Sequence, residues 1–383
     1  MTSILDGSAP IQEAVAATQQ SIDTYGRLLA LPGATARDLN FASSAWSVLG
    51  DELGVDSPDS MYDVTAALRA YRQAKALLDR ALSLEPNDLA RHGLIVSHLK
   101  MAEVDGLVDP YQELDDTQEG LREIAALPSL KRQSLPIMRL RMVLLEKQIN
   151  ALTQLARYSE ARALADSVVN DLSAWASADK QDLRALIDLS EILDSLASVY
   201  ETAANPALGA SADVQRRNLT AAQPVLLREV ALLKKILQAS PSQQELRLTM
   251  ADAQVRLGIV QYRLRKDSAA AGLVASGLAA LRQICAGSPS SPTALLAAAT
   301  HLLNAEPPAA RAPDLALRYA ERAAAVSHRK VPGMLLTLAM AYRANSQIDL
   351  SRATAREGLA LLPQNSPHVA PSNLRRLLEG QAR

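Results

Sequence analysis

Residues 64–86 read VTAALRAYRQAKALLDRALSLEP, with apolar side chains every three or four positions between charged ones. That period marks an amphipathic helix with one face turned to a core. Similar stretches run along the chain and are cut by proline-bearing breaks. The breaks fall at residues 31–33, 56–60, 85–87, 127–136, 205–209, 240–241, 288–292, 307–313 and 362–371. Proline removes a backbone donor and restricts the residue before it, so it ends one helix and suits the first turn of the next. Ser242 with Glu245 has the spacing of a capping box, and Ser60 with Asp63 an acidic variant. The segments between breaks are one or two helix lengths. They predict roughly fourteen to sixteen helices, joined as antiparallel pairs by short connections. No stretch alternates with period two over a useful length, so the predicted class is all-α.

Small residues set a register within these helices. Ala74, Leu78, Ala81 and Pro86 are spaced like Gly277, Leu281, Ile284 and Pro289, and like Ser351, Ala355, Gly358 and Pro363. Offsets of four and three place them on one helix face, where a small side chain lets a neighbouring helix approach. Each set follows a helix with its own signature: Trp46, Leu49, Gly50 and Leu53; Leu257, Gly258 and Tyr262; Leu335, Leu338, Ala339 and Tyr342. A further trace, Ala316, Ala320 and Ala323, precedes the last set by 35 residues, one helix-pair unit.

These residues resemble the tetratricopeptide repeat (TPR). Its first helix carries a large residue, Leu-Gly and an aromatic; its second carries Ala, a large residue, Ala and Pro. The likeness is fair over residues 43–108 and 248–363 and weak over 110–240, where Ala161, Ala165 and Val168 are the best trace. It implies a right-handed superhelical solenoid of antiparallel helix pairs, with about five to seven repeats. Residues 1–34 then read as an N-terminal helix packing on the array. Residues 35–383 read as one continuous repeat domain, degenerate in the middle. Residues 49–88 are also similar to the TPR segment that follows the catalytic domain in some bacterial serine/threonine kinases, although no Gly-rich loop, HRD or DFG motif is present. In TPR folds the first helix of each pair lines the concave side. Carried over, this marks Asp51, Ile259, Tyr262, Arg263, Met340 and Arg343 as groove candidates, Ile259 and Met340 being equally readable as interhelix core.

Composition narrows the chemistry. A net charge of −1 over 383 residues leaves no nucleic-acid footprint at the whole-chain level. A single cysteine, Cys285, excludes an internal disulfide and a Cys-based zinc site, and reads as a small buried residue. His92, His98, His301, His328 and His368 are scattered rather than set at chelating offsets. No GxSxG, Walker or HExxH motif occurs, so no enzyme activity, metal or cofactor is expected. Adjacent carboxylates such as Asp51-Glu52 and Asp115-Asp116 point apart on a helix and are expected to face water. No membrane-spanning helix is expected: the stretch 283–305, free of Asp, Glu, Lys and Arg, is broken by Pro289 and Pro292. The first residues lack a basic start before an apolar core, so a cytoplasmic setting is expected.

Charge is unevenly spread. Residues 1–68 hold nine acidic and two basic side chains, and residues 307–383 five acidic and eleven basic. That is either drift across solvated faces or a polarity that leaves room for weak self-association. The function the sequence supports is a non-catalytic scaffold, adaptor or sensor that binds a protein or peptide in its groove. The alternative is a helical-repeat regulator that responds to a small molecule.

Overall fold

Helices account for every regular element in the computed structural model, which describes residues 11–54, 60–178, 182–287 and 291–362; no strand occurs among them. The chain divides into two compact units, Met1–Gln148 and Ile149–Arg383.

In the first unit, α1 (Ile11–Leu29) packs on α2 (Ala36–Leu53), followed by α3 (Val64–Leu84), α4 (Asp88–Asp105), α5 (Pro110–Ala125) and the single turn α6 (Ser129–Arg132). Helix α7 (Leu135–Gln154) contains the boundary between the units. The second unit continues with α8 (Tyr158–Ala178), α9 (Leu183–Ala203), α10 (Ala212–Ala239), α11 (Gln244–Arg265) and α12 (Ser268–Ala286). It ends with α13 (Pro292–Asn304), α14 (Pro313–Val326), α15 (Pro332–Ala344) and α16 (Ile348–Ala360). From α8 to α16 each helix packs on the next, and α13 also touches α11 and α15. Within this unit, then, successive helix pairs stack through their first members.

Proline falls where the sequence reading put it. Pro110, Pro292, Pro313 and Pro332 each open a helix, where a missing N–H costs nothing. The exception is Pro224, which lies inside the long α10. The capping expectations need correction. Asp63 itself caps α3, accepting from the Ala66 N–H at 3.0 Å, while the Ser60 hydroxyl donates to the Gly54 carbonyl. Helix α11 starts at Gln244, too late for Ser242 to cap it. A full capping box occurs instead at Thr35 and Asp38, at the start of α2.

The small-residue register is where helices meet most closely. Gly258 and Gly277 make reciprocal contacts between α11 and α12. A Cβ on Gly258 would lie 2.8 Å from the Val274 backbone nitrogen, and one on Gly277 3.0 Å from the Val255 nitrogen. In the last pair Ser351 replaces the usual alanine, and its hydroxyl donates to the Ala339 carbonyl at 2.7 Å. In the first pair Leu53 stands where an aromatic is usual. Tyr71 of α3 lies against Gly50 instead, fully buried, its hydroxyl 2.7 Å from Asp51.

Cys285 is buried, its Sγ–H donates to the Ala294 carbonyl at 3.4 Å, and burial pushes the thiol up to about 11. Helix α12 is long and apolar enough to cross a membrane by length and composition, which the sequence reading had not noted. Here its Ala270, Val274, Gly277, Leu278 and Leu281 face is buried, and it packs on α11 and α13.

Gly258→Ala should destabilise by about 1–3 kcal/mol, because the added methyl would lie 2.6 Å from the stiff Val274 side chain and 2.8 Å from its backbone nitrogen. Gly272→Ala, on the exposed side of α12 with nothing within 4 Å of the new Cβ, should stabilise by about 0.5–1 kcal/mol through helix propensity. Urea unfolding of both variants checks the pair of opposite signs.

Candidate functional site

Partly or fully exposed positions line one face on each of α9, α11, α13 and α15. On α9 they are Glu191, Asp194, Ser198 and Glu201; on α11, Asp252, Arg256, Ile259 and Arg263. Helix α13 contributes Ala297, His301 and Asn304, and α15 contributes Gly333, Leu336, Met340 and Arg343. Offsets of three, four and seven keep each set on one face. Helix α11 also carries a partly exposed row on its other side, Met250, Gln254 and Gln261, so the stripe is one of the surfaces these helices can offer to a partner.

Side chains tie three of the stripes together, with Arg256 at the centre. Its Nε donates to Glu201 Oε2 at 2.7 Å, and its Nη2 to the Ser198 hydroxyl at 3.0 Å and the Asp194 carbonyl at 3.3 Å. Nη1 donates to Asp194 Oδ1, Nη2 also to Glu201 Oε2, and Asp252 Oδ2 lies 3.6 Å from Nη1. The other oxygen of Asp252 is 2.6 Å from His301 Nε2. One guanidinium thus joins α9 to α11, and one carboxylate joins α11 to α13. Only a planar fork with five donors can serve so many acceptors at once.

Glu229 lies beside this network. It belongs to the buried row Ala222, Leu226, Glu229, Leu233 and Ile236 on α10, a helix that packs on both α9 and α11. The residue is fully buried and neither carboxylate oxygen has a hydrogen-bond partner. Burial, reinforced by the charge of Asp194, pushes its pKa up to about 9 against the pull of Arg256. The acid is therefore neutral at pH 7. Burial also acts on Asp252, but His301 and Arg256 outweigh it and hold the carboxyl down at about 2.

The first unit carries a smaller polar network of its own. His98 Nδ1 lies 2.9 Å from Asp116, and burial with the Asp116 charge raises the Asp105 pKa to about 8. Glu113 is likewise raised to about 8 by burial, despite the nearby Lys147. Asp51 pairs with Lys100 of α4 at 3.4 Å. The adjacent carboxylates do point apart: Asp115 faces water as expected, whereas the other three also meet partners. Asp51 takes Tyr71 and Lys100, Glu52 accepts from Thr18 of α1 at 2.9 Å, and Asp116 meets His98. The reason is that α2 and α5 are flanked by other helices on more than one side.

Of the residues singled out from sequence, Ile259 and Arg263 lie on the same α11 face as Asp252 and Arg256. Met340 and Arg343 share the open face of α15. Tyr262 is about a quarter turn away, its ring under the Lys266 ammonium at 4.9 Å. Asp51 belongs to the first unit and is not part of this stripe. Sequence reasoning missed Asp194, Glu201, Glu229, Asp252, Arg256 and His301. A signal existed for one of them: Glu229 interrupts an otherwise apolar helical row.

No protein-family model matches the chain, and no curated protein matches it. Solved structures do. Yeast Tom70 is similar over 97% of this chain and 96% of its own, at 10% identity and a TM-score of 0.23. The human IFIT1 dimer with PPP-AAAA is similar over 92% of this chain and 87% of its own, at 10% identity and 0.34. The APC/C hetero-tetramer Cut9–Hcn1 covers 97% and 87%, at 12% identity and 0.30. Likenesses this distant carry no argument, and the all-α fold rests on the helices themselves.

Two outcomes follow from the network. Arg256→Met should cost about 1–3 kcal/mol, because it leaves three partly exposed carboxylates without their cation; chemical denaturation measures it. Stability should also fall as pH rises from about 5 to 9. Glu229, Glu113 and Asp105 have raised folded-state pKa values, so their contribution is complete below the unfolded range near 4–4.5 and lost as pH climbs through 8–9. Asp252 works the other way, its contribution fading as pH drops from about 4 towards 2. Thermal melts should peak near pH 4–5, and Glu229→Gln should flatten the alkaline limb. A melting temperature constant from pH 5 to 9 would contradict the assignment.

Proposed function

We propose that this protein is a non-catalytic, tetratricopeptide-like scaffold that holds a protein or peptide segment along the open faces of α9, α11, α13 and α15. The observation that carries the reading is the side-chain continuity of that surface. Bonds from Arg256 and Asp252 join three successive first helices, so a segment lying across them meets one surface rather than separate helices. Ile259 and Met340 are the apolar anchors, each partly exposed between polar neighbours. Arg263 and Arg343 are exposed and orient the segment. A few anchors of this sort supply most of the affinity of such contacts, with polar neighbours fixing register.

The likeness of residues 49–88 to a kinase-linked segment supports a cytoplasmic bacterial signalling role beside a serine/threonine kinase. A kinase gene adjoining this one is the observation to look for. No part of the proposal needs a cofactor, a metal or a nucleic acid.

A peptide-display selection against the full chain tests the main reading. Ile259→Asp and Met340→Asp should each weaken selected binders by about tenfold or more, since each puts a charge in place of a buried anchor. Arg282→Ala, on the exposed side of α12, should leave them unchanged. Binders indifferent to both anchor substitutions would place the binding surface elsewhere.

A further inference from the structure

Asp194 and Glu201 each use one oxygen on Arg256, Oδ1 and Oε2 respectively. Their second oxygens take no protein donor, and the side chains are 38% and 23% exposed. Two half-used carboxylates therefore stand one helical stretch apart on α9, both open to the stripe. The local balance is negative. Asp194, Glu201 and Asp252 are three carboxylates around one guanidinium, with His301 already bonded to Asp252.

A second, independent observation is Glu229. An unpaired carboxyl in an apolar row is costly, and a leucine there would continue the row. The charges acting on it are those of Asp194, Glu201, Asp252 and Arg256, from both helices packed against α10. Its electrostatic environment is thus the site itself. A cation added there would favour its ionised form.

No three His, Cys, Asp or Glu side chains among the described residues converge as a metal ion requires. The free oxygens are spread along a helix, which suits a cation that donates several hydrogen bonds in different directions. A guanidinium does this best, and an ammonium on a long stem less well.

Resting on the reading that the first-helix stripe is the binding face, we infer that it selects a basic partner. An arginine or lysine side chain of the bound segment docks beside Arg256 on the free oxygens of Asp194 and Glu201, and Glu229 on the neighbouring α10 releases its proton to solvent as that cation arrives. Arg263, two turns beyond Arg256 on the same face, bounds the acidic stretch. It favours a partner whose basic residue is followed at a distance by an acidic one.

Titration calorimetry with a peptide series tests this on the unaltered chain. Three flexible peptides of one length carry three central arginines, three glutamines or three glutamates. The arginine peptide should bind at least about tenfold more tightly than the glutamine peptide, and the glutamate peptide not at all. Its enthalpy should differ between phosphate and Tris, as release of a proton requires, and the difference should vanish in Glu229→Gln. That variant mimics the neutral acid and should fold as the parent does. Glu201→Gln should weaken the arginine peptide, with its helical circular dichroism compared to the parent. Equal binding of all three peptides, or preference for glutamate, overturns the basic-partner inference. Arginine binding with a buffer-independent enthalpy overturns the role of Glu229. If display-selected peptides still depend on Ile259 and Met340 while the arginine preference is absent, the scaffold reading stands and only this inference falls.

Discussion

Close approach of helices at positions without bulk is the constraint on which the rest depends. A helix pair of this kind buries too little surface to be stable alone, so it must press against the next pair. Gly258 and Gly277 let α11 and α12 meet at backbone distance, and Ser351 achieves the same between α15 and α16 by bonding to the facing carbonyl. Tight pairing leaves little freedom in how each first helix is rotated. That rotation decides which side chains remain open, so the stripe on α9, α11, α13 and α15 is a consequence of contacts made on the other faces of those helices.

The polar network answers a second constraint. Three first helices packed side by side would present a row of polar side chains half out of water, where unsatisfied groups are expensive. Arg256 resolves most of that by serving two acidic residues of α9 and one of its own helix. Asp252 then reaches His301, carrying the arrangement to α13. The outcome is a surface with fixed side chains. A surface that loses little rotamer freedom on binding retains more of its contact energy as affinity.

How much of this could be read in the sequence depends on the range of the interaction. The helices, their proline starts and the small-residue register are local features, visible in windows of a few turns. The packing at Ala74, Gly258 and Ser351 follows from spacing within one helix pair. The central network is different in kind. Arg256 meets residues 55 and 62 positions earlier, and His301 meets a residue 49 positions away. Nothing in a local pattern joins them. The middle of the chain was least legible because its helices are long, and α10 runs through Pro224 without a break. Tyr71 shows a related effect. The aromatic expected on α2 is supplied by the opposite helix, so the position is filled by space rather than by register.

Buried acids argue against stability as the reason for this design. Glu229, Asp105 and Glu113 are each held neutral by burial, and each would be replaced at little cost by an apolar residue of similar size. Asp105 and Glu113 sit in a small network of the first unit, next to His98 and Lys147. Glu229 has no such partner; it has only the field of a charged cluster that opens to the surface on its far side. A chain otherwise consistent from propensity to packing departs from that consistency where a function outweighs fold stability. By that reasoning we propose that binding specificity lies in the α9–α11–α13 stripe rather than in the network of the first unit.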